Sequence, residues 1–283
     1  MKGIEIILWL QGLRSPGLDM VMLSISALGS SYAYMVMLPL AYWLMDRRRG
    51  WLLALVFLLS MQVNGVLKEF TETLRPFQVD ARIALVGPKP LTYALPSGHA
   101  QGGLIMWGGL AAMRPSVLPA TIYSSIIFLV GLTRLYLGVH SPLDVGAGWA
   151  LGGLGLGVAL LLFRLDEISP EIPKDWRVRL LWAIAGCGMI MLRPSKGTIP
   201  PGATLAAVAA LEYWERTRIR FDDCRQLSQR IARLAGGLIP PAVLLGLYKY
   251  LGVESLWMTG IIFVVMGAWM VLGAPYLFKK LRI

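Results

Sequence analysis

The chain has 283 residues, of which 56% are hydrophobic and only 15% are charged, and its formal net charge is +11. A soluble domain usually carries about 25% charged residues, so this composition excludes an ordinary soluble globular protein. The two cysteines are Cys187 in an apolar stretch and Cys224 in a polar loop. This pattern argues against a disulfide framework or a cysteine-based metal site.

Long apolar blocks recur along the chain, as in residues 51–66 and 255–273. A helix of about 20 mostly apolar residues crosses a bilayer core, and a helix satisfies its own backbone hydrogen bonds in lipid. The sequence therefore predicts an all-α, polytopic transmembrane helical bundle of about nine spans. The predicted spans are residues 20–45, 51–70, 98–113, 117–135, 142–163, 177–193, 199–214, 234–250 and 256–278, the first of them broken near Gly29-Ser30-Ser31.

Three regions follow one another in the predicted organisation. Residues 1–18 form an interfacial N-terminal helix, because they lack the pattern of a cleavable signal peptide and suit the membrane surface. Residues 19–165 form a core of about five spans, and residues 166–283 form a C-terminal extension of about four spans.

The basic residues predict the orientation. Of the 27 Lys and Arg residues, 17 fall on one set of loops, and cytoplasmic loops collect these residues. The sequence predicts an outside N-terminus and a cytoplasmic C-terminus in a multi-pass inner-membrane protein. The net charge is therefore interpreted as an orientation signal, and no nucleic-acid partner is expected.

Three polar stretches fall on the predicted outer side: residues 68–76, residues 96–99 and residues 133–144, which together contain both histidines of the chain. Residues 100–132 separate the last two stretches and contain one turn at Arg114-Pro115. Two helical passes of about 25 Å each would return the chain to the same side. We therefore expect His99 and His140 to lie close together near the headgroup level.

The cations of these stretches are Lys68, Arg75 and Arg134. Unpaired charges beside an apolar zone are costly, so a bound anion is expected to compensate them. Phosphate fits best, because an arginine fork binds its oxygens bidentately. Ser97 and Gly98 precede an apolar stretch and would present a helix N-terminus, which also binds anions.

Two histidines beside a bound phosphate predict phosphoryl transfer, in which one attacks phosphorus and the other protonates the leaving oxygen. Asp144, four residues after His140, can hold the far ring nitrogen of a nucleophilic imidazole. No cluster of acids and histidines has metal-ligand spacing. No metal or other cofactor is therefore expected, and the cations would supply the electrostatic stabilisation.

This combination resembles the type 2 phosphatidic acid phosphatase family, whose motifs are K-x6-R-P, P-S-G-H and S-R-x5-H-x3-D. The first two motifs match in full at residues 68–76 and 96–99. The third matches at Arg134, His140 and Asp144, with Thr133 in place of the usual serine. The resemblance covers roughly residues 20–165, and glucose-6-phosphatases and sphingosine-1-phosphate phosphatases are relatives of this family.

The resemblance implies that His140 is the nucleophile that forms a phosphohistidine, that Asp144 orients it and that His99 protonates the leaving group. It implies a phosphate site formed by Lys68, Arg75, Arg134, Ser97 and Gly98. The expected activity is metal-independent hydrolysis of a lipid phosphate or diphosphate at the outer membrane face. Membrane lipids would surround the enzyme, and the oligomeric state is left open.

Several alternatives stay open. An isoprenyl diphosphate is slightly favoured as substrate over phosphatidate, phosphatidylglycerophosphate or a sphingoid-base phosphate. The loop 77–95 is expected to form a substrate rim. Asp144 could serve only as a helix cap, since Ser141-Pro142 reads as a helix start. A phosphotransferase, or a lipid-phosphate binder or transporter without hydrolysis, is the alternative from another class.

Overall fold

A computed structural model describes residues 2–114, 119–168, 176–221, 224 and 226–283. These residues form α-helices and short π-helical segments, and the described part contains no strand. In chain order the α-helices are α1 (Lys2–Gln11), α2 (Pro16–Ala27), α3 (Ser31–Leu40), α4 (Arg47–Thr71), α5 (Pro76–Val79), α6 (Gly98–Met113), α7 (Ala120–Tyr136), α8 (Pro142–Ile168), α9 (Trp176–Leu192), α10 (Ile199–Trp214), α11 (Leu227–Tyr250), α12 (Leu256–Ala268) and α13 (Ala274–Leu281). The all-helical prediction is confirmed, and Pro115 of the predicted turn lies outside the described residues.

The chain divides into two compact units, each made of two stretches of chain. Unit 1 consists of Met1–Met35 and Val63–Leu160, and unit 2 consists of Val36–Gln62 and Leu161–Ile283. All three polar stretches of the sequence fall within unit 1. The division into an N-terminal helix, a core and a C-terminal extension stays a prediction.

The first predicted span is a broken helix, as the sequence predicted. Helix α2 begins at Pro16, where the Ser15 side chain accepts a hydrogen bond from the Leu18 N–H, a common N-cap. The axis then bends by 42° between Ala27 and Ser31. At this break, a Cβ on Gly29 would lie 2.4 Å from Val130 Cγ1, so only glycine permits this close approach to α7.

An apolar cluster in unit 1 supports the turn between α7 and α8. It contains Leu10 of α1, Val86, and Tyr136, Leu137 and Val139 around that turn. The turn itself carries His140, which is 2% exposed. Helix α1 is therefore part of the packing that positions the third motif, whereas its location at a membrane surface stays a prediction.

Unit 2 buries several ion pairs. Arg47 Nη1 lies 3.3 Å from Glu215 Oε1, and Arg179 Nε lies 3.5 Å from Glu212 Oε2. The Tyr42 hydroxyl also donates to Glu215 Oε2 at 3.1 Å. These contacts pair Glu212 and Glu215 each with an arginine.

Four helices among the described residues are long and apolar enough to cross a membrane, or five if the bent α2–α3 pair is one span. Helices lie at all nine predicted positions. Four of them, however, α6, α7, α9 and α10, have only 16 or 17 residues. At 1.5 Å per residue they are about 25 Å long, short of a hydrocarbon core of about 30 Å. The number of nine spans and the orientation therefore stay predictions.

Candidate active site

Lys68 and Arg75 both donate hydrogen bonds to the backbone just before the second motif. Lys68 Nζ donates to the Tyr93 carbonyl at 2.6 Å and to the Ala94 carbonyl at 3.0 Å. Arg75 Nη2 donates to the same Tyr93 carbonyl at 3.0 Å. Both side chains are buried. The segment Thr92–Ala94 therefore positions two cations of the first motif with neutral acceptors.

Arg75 also connects the first motif to the third. Its Nη1 donates to the Val139 carbonyl at 2.9 Å and lies 3.2 Å from His140 Nε2. A guanidinium can only donate hydrogen bonds, so this contact favours the tautomer with the lone pair on Nε2 and the ring proton on Nδ1. In this tautomer the nitrogen that faces the Arg75 guanidinium is the unprotonated one.

Asp144 has two kinds of contact. Its Oδ2 accepts a hydrogen bond from the Ser141 N–H at 2.7 Å, and its own N–H donates to Ser141 Oγ at 3.2 Å. The same Oδ2 lies 3.7 Å from His140 Nδ1, beyond hydrogen-bond distance. Catalytic hydrogen bonds are often long without substrate and tighten in the substrate complex. Helix capping and orientation of His140 are therefore compatible roles of one carboxylate.

The second motif starts α6 beside the first turn of α8. The Ser97 N–H donates to the Asp144 carbonyl at 2.9 Å, so this N–H is already engaged. The Ser97 hydroxyl is fully buried, makes no capping bond and has no partner in the described part of the chain. The hydroxyl, rather than the backbone N–H, is thus the group of Ser97 that a phosphate could contact. Gly98 begins the helix and keeps its predicted place at the N-terminus.

Two glycines of α8 allow it to approach the start of α6. A Cβ on Gly148 would lie 2.5 Å from the Ser97 carbonyl oxygen, and one on Gly152 would lie 2.8 Å from the Gln101 carbonyl oxygen. Small residues four apart permit such close helix contact. This packing keeps Asp144 next to Ser97.

Arg134 and His99 complete the set. Arg134 is 8% exposed, it donates from Nη1 to Ser26 Oγ, and its Nε is buried with no partner among the described residues. The charged and titratable groups whose fields act on the His99 ring are Arg134, His140, Arg75 and Lys68. The structure thus brings the predicted site residues together within unit 1, and their catalytic roles stay predictions.

The pKa of His140 is held well below its usual range. Burial is the main cause, and the positive charges of Lys68, Arg75 and Arg134 act in the same direction. His140 lies in the turn between α7 and α8, outside both helices. Its imidazole is therefore neutral at neutral pH, which is the protonation state that a nucleophile requires.

Comparison with known proteins follows the motifs. The model of the PAP2 superfamily matches residues 49–167, and that of the PAP2 superfamily phosphatase, transmembrane extension, matches residues 200–283. An undecaprenyl-diphosphatase of Sulfolobus acidocaldarius is 34% identical over 155 residues, which are 54% of this chain and 73% of the relative. The chain belongs to the PAP2 superfamily.

Two further comparisons support this membership. Phosphatidylglycerophosphatase B of Bacillus subtilis is 34% identical over 178 residues, covering 58% of this PAP2 chain and 81% of the relative. A crystal structure of a transmembrane PAP2-type phosphatidylglycerolphosphate phosphatase from Bacillus subtilis aligns with a TM-score of 0.50 and 29% identity, covering 59% of this chain and 86% of that one. The predicted class, a multi-pass membrane phosphatase, is confirmed.

Sequence reasoning missed a buried polar pair behind the PAP2 motifs. Asn64 Nδ2 donates to the Pro96 carbonyl at 3.2 Å and to Gln101 Oε1 at 2.7 Å. Asn64 lies four residues before Lys68, and Gln101 lies four residues after Ser97. A polar residue one helical turn from a motif residue, inside an apolar run, was the available signal.

Two other predictions bear on the chemistry of the PAP2 site. The Thr133 hydroxyl donates to the Val130 carbonyl of its own helix at 2.7 Å, so the replacement of the family serine leaves this hydroxyl bonded within α7. The described residues contain no group of three or more His, Cys, Asp or Glu that could hold a metal ion. Metal independence stays a prediction for experiment.

Proposed function

We propose that this PAP2 phosphatase hydrolyses a lipid phosphate or diphosphate through a phosphohistidine on His140. The observation that carries the proposal is the charge around this residue. Among the described residues, the buried charged side chains of unit 1 are Lys68, Arg75, Arg134 and Asp144, so three cations accompany one carboxylate. A phosphoryl group supplies the missing negative charge, and the lone pair on His140 Nε2 lies beside one of the cations.

In the first step, His140 Nε2 attacks phosphorus, a P–N bond forms and the bond from phosphorus to the leaving oxygen breaks. The leaving oxygen is the ester oxygen of a lipid monophosphate or the bridging oxygen of a lipid diphosphate. His99 donates a proton to the leaving oxygen. The positive charge that develops on the imidazole is stabilised by Asp144 through the Nδ1–H. Lys68, Arg75 and Arg134 stabilise the charge on the equatorial phosphoryl oxygens, as preorganised donors do in other active sites.

In the second step, His99, now neutral, removes a proton from water as the water attacks phosphorus. The P–N bond breaks, its electron pair returns to Nε2, and inorganic phosphate forms. His140 is neutral again, and His99 carries the proton that the next cycle uses. Over both steps, one water is consumed for each phosphoester or phosphoanhydride bond cleaved.

The proposed substrate class is lipid phosphates, with an isoprenyl diphosphate slightly favoured. Two relatives at 34% identity support the class, because one is named for undecaprenyl diphosphate and the other for phosphatidylglycerophosphate. The proposed location of the site at the outer face rests on the distribution of basic loops. Loop 77–95 is proposed as a rim that influences the choice of substrate more than the chemical step.

The test is phosphate release by purified protein in detergent with EDTA, across a panel of isoprenyl, glycerolipid and sphingoid-base phosphates. We expect release by the wild type and none by His140→Ala, with the ranking of the panel identifying the substrate. Release that survives the His140→Ala change would contradict the phosphohistidine. Release that is abolished by EDTA would contradict metal independence.

Reaction in H₂¹⁸O separates the hydrolase from the transferase. Hydrolysis places one ¹⁸O atom from solvent in each inorganic phosphate released from a monoester. Lipid dephosphorylation with a phosphorylated acceptor alcohol and no labelled phosphate would identify a transferase. Phosphate binding without any bond cleavage would favour a lipid-phosphate binder.

A further inference from the structure

Ser26 of α2 contacts the phosphate site, although it belongs to none of the three motifs and lies outside the residues that the PAP2 superfamily model matches. It is 5% exposed, and its Oγ accepts a hydrogen bond from Arg134 Nη1. We propose that Ser26 is a positioning residue that orients Arg134 for the phosphoryl group. This inference rests on the proposed function of the same site.

The contacts of Arg134 differ from those of Arg75. Arg75 donates from Nε, Nη1 and Nη2 to the backbone oxygens of Thr92, Val139 and Tyr93. The hydrogen bond to Ser26 is the one side-chain hydrogen bond that Arg134 makes to the described part of the protein, and its Nε is buried without a partner there. Ser26 thus fixes one arm of the guanidinium and leaves Nε for a phosphate oxygen.

The helix break keeps Ser26 in position. Gly29 packs so closely that an added Cβ would meet Val130 Cγ1 at 2.4 Å. After the break, the Tyr34 hydroxyl donates to the His99 carbonyl at 3.4 Å. An added Cβ on Gly102 would lie 2.8 Å from the Tyr34 ring. The α2–α3 pair therefore packs against both α6 and α7, the helices that carry His99 and Arg134.

A hydroxyl group suits this position chemically. It accepts a hydrogen bond from the guanidinium without neutralising its charge, so Arg134 keeps its full attraction for phosphate. An aspartate at position 26 would form an ion pair with Arg134 and would repel a bound phosphate. The proposal therefore predicts that Ser26→Asp weakens phosphate binding more than Ser26→Ala does.

The test measures kcat/KM and the inhibition constant of inorganic phosphate for full-length protein in detergent. For Ser26→Ala we expect kcat/KM to fall and the inhibition constant to rise, each about tenfold, as for loss of one hydrogen bond to a charged group. Ser26→Cys, which keeps the volume but accepts hydrogen bonds poorly, should show the same loss if Ser26→Ala folds badly. Ser26→Thr, which keeps the hydroxyl, should stay within about twofold of wild type.

Ser24→Ala is the matched control, because the exposed Ser24 hydroxyl bonds only to the Met20 carbonyl of its own helix, and both constants should be unchanged. In an Arg134→Ala background, Ser26→Ala should cause no further change in the phosphate inhibition constant. Wild-type constants for Ser26→Ala and Ser26→Cys, or a further tenfold loss without Arg134, would overturn the inference while leaving the proposed function intact. A wild type that neither releases nor binds inorganic phosphate would overturn the proposed function itself.

Discussion

The two units of this PAP2 phosphatase differ in how their buried charged side chains are compensated. In the described part of unit 1 the buried charged side chains are three cations and one carboxylate: Lys68, Arg75, Arg134 and Asp144. In unit 2, within the described residues, they are two arginines and three acids: Arg179, Arg233, Asp166, Glu212 and Glu215. Each of these acids of unit 2 lies in an ion pair with an arginine, whereas unit 1 keeps an excess of positive charge.

This difference in charge compensation indicates which unit is expected to bind a charged ligand. An uncompensated buried charge destabilises a protein, whereas a paired one is tolerated. In unit 1 the cations contact carbonyl oxygens, the Ser26 and Thr92 hydroxyls and the His140 ring, which accept hydrogen bonds and leave the charge in place. The proposed phosphoryl ligand would supply negative charge to unit 1, and the ion pairs of unit 2 need no such ligand.

The largest expected effect comes from removing a cation of unit 1. Arg134→Leu should lower kcat/KM by about 10³-fold, the scale for one donor to a developing charge. The unfolding midpoint should not fall, because the change removes an uncompensated buried charge. Phosphate release and a thermal unfolding assay check both parts.

Arg164→Leu is the control, since Arg164 is 73% exposed in its pair with Glu167, and its kcat/KM should stay within about twofold of wild type. A strongly lowered midpoint for Arg134→Leu would mean that Arg134 serves the fold rather than the ligand, and the contrast between the units would fail.

A second prediction concerns how unit 1 holds its site without ion pairs. Gly148→Ala places a Cβ 2.5 Å from the Ser97 carbonyl oxygen, so α8 must move away from α6 and take Asp144 with it. We expect kcat to fall about 10²-fold, as small misplacements cause in other active sites. Gly157→Ala on the same helix meets nothing within 4 Å and should retain wild-type kcat. Equal kcat for the two variants would show that this contact does not position the site.

A third prediction concerns the paired charges of unit 2. Glu215→Ala should reduce the free energy of unfolding by about 2 kcal/mol, because it breaks a buried pair, and this value allows for the partial exposure of Arg47. The kcat of the folded protein should be unchanged. Denaturant unfolding in detergent, with Glu167→Ala as the exposed control, measures the difference. If the fully folded Glu215→Ala variant had a lower kcat, unit 2 would contribute to the chemistry.

The smallest expected effect concerns the titration of His140. Burial and nearby cations hold the pKa of His140 below its usual range, so its imidazole should stay neutral at pH 6, where an ordinary histidine is mostly protonated. The chain has two histidines, so ¹⁵N-histidine NMR of His99→Gln reports His140 alone. The neutral tautomer at pH 6 is expected. The imidazolium at that pH would show that the positive surroundings do not act on His140.

Much of the fold followed from the sequence, because apolar runs mark helices and a cluster of Gly and Ser marks a break. Helix α4 was predicted at 51–70 and spans Arg47–Thr71, and the break near Gly29 is present. The number of spans did not follow. Four of the helices are shorter than a bilayer core requires, and hydropathy cannot distinguish a short crossing from a buried helix.

The candidate site was also only partly predictable from the sequence. The residues of the motifs could be identified, since their spacing is a local property of the chain. Ser26 could not, because its meeting with Arg134 joins residues 108 positions apart and depends on the bend in the first span. The hydrogen bond from the Ser97 N–H to the Asp144 carbonyl could not be predicted either, because it arises from the contact between α6 and α8.

The Tyr93 carbonyl oxygen accepts hydrogen bonds from both Lys68 and Arg75. It therefore competes with any phosphate oxygen for two of the three cations. When inorganic phosphate leaves, Lys68 and Arg75 can still donate hydrogen bonds to the Tyr93 carbonyl, so they are not left without an acceptor. If Lys68 and Arg75 bind the phosphoryl group as proposed, we expect this single backbone oxygen to favour release of inorganic phosphate and to limit product inhibition.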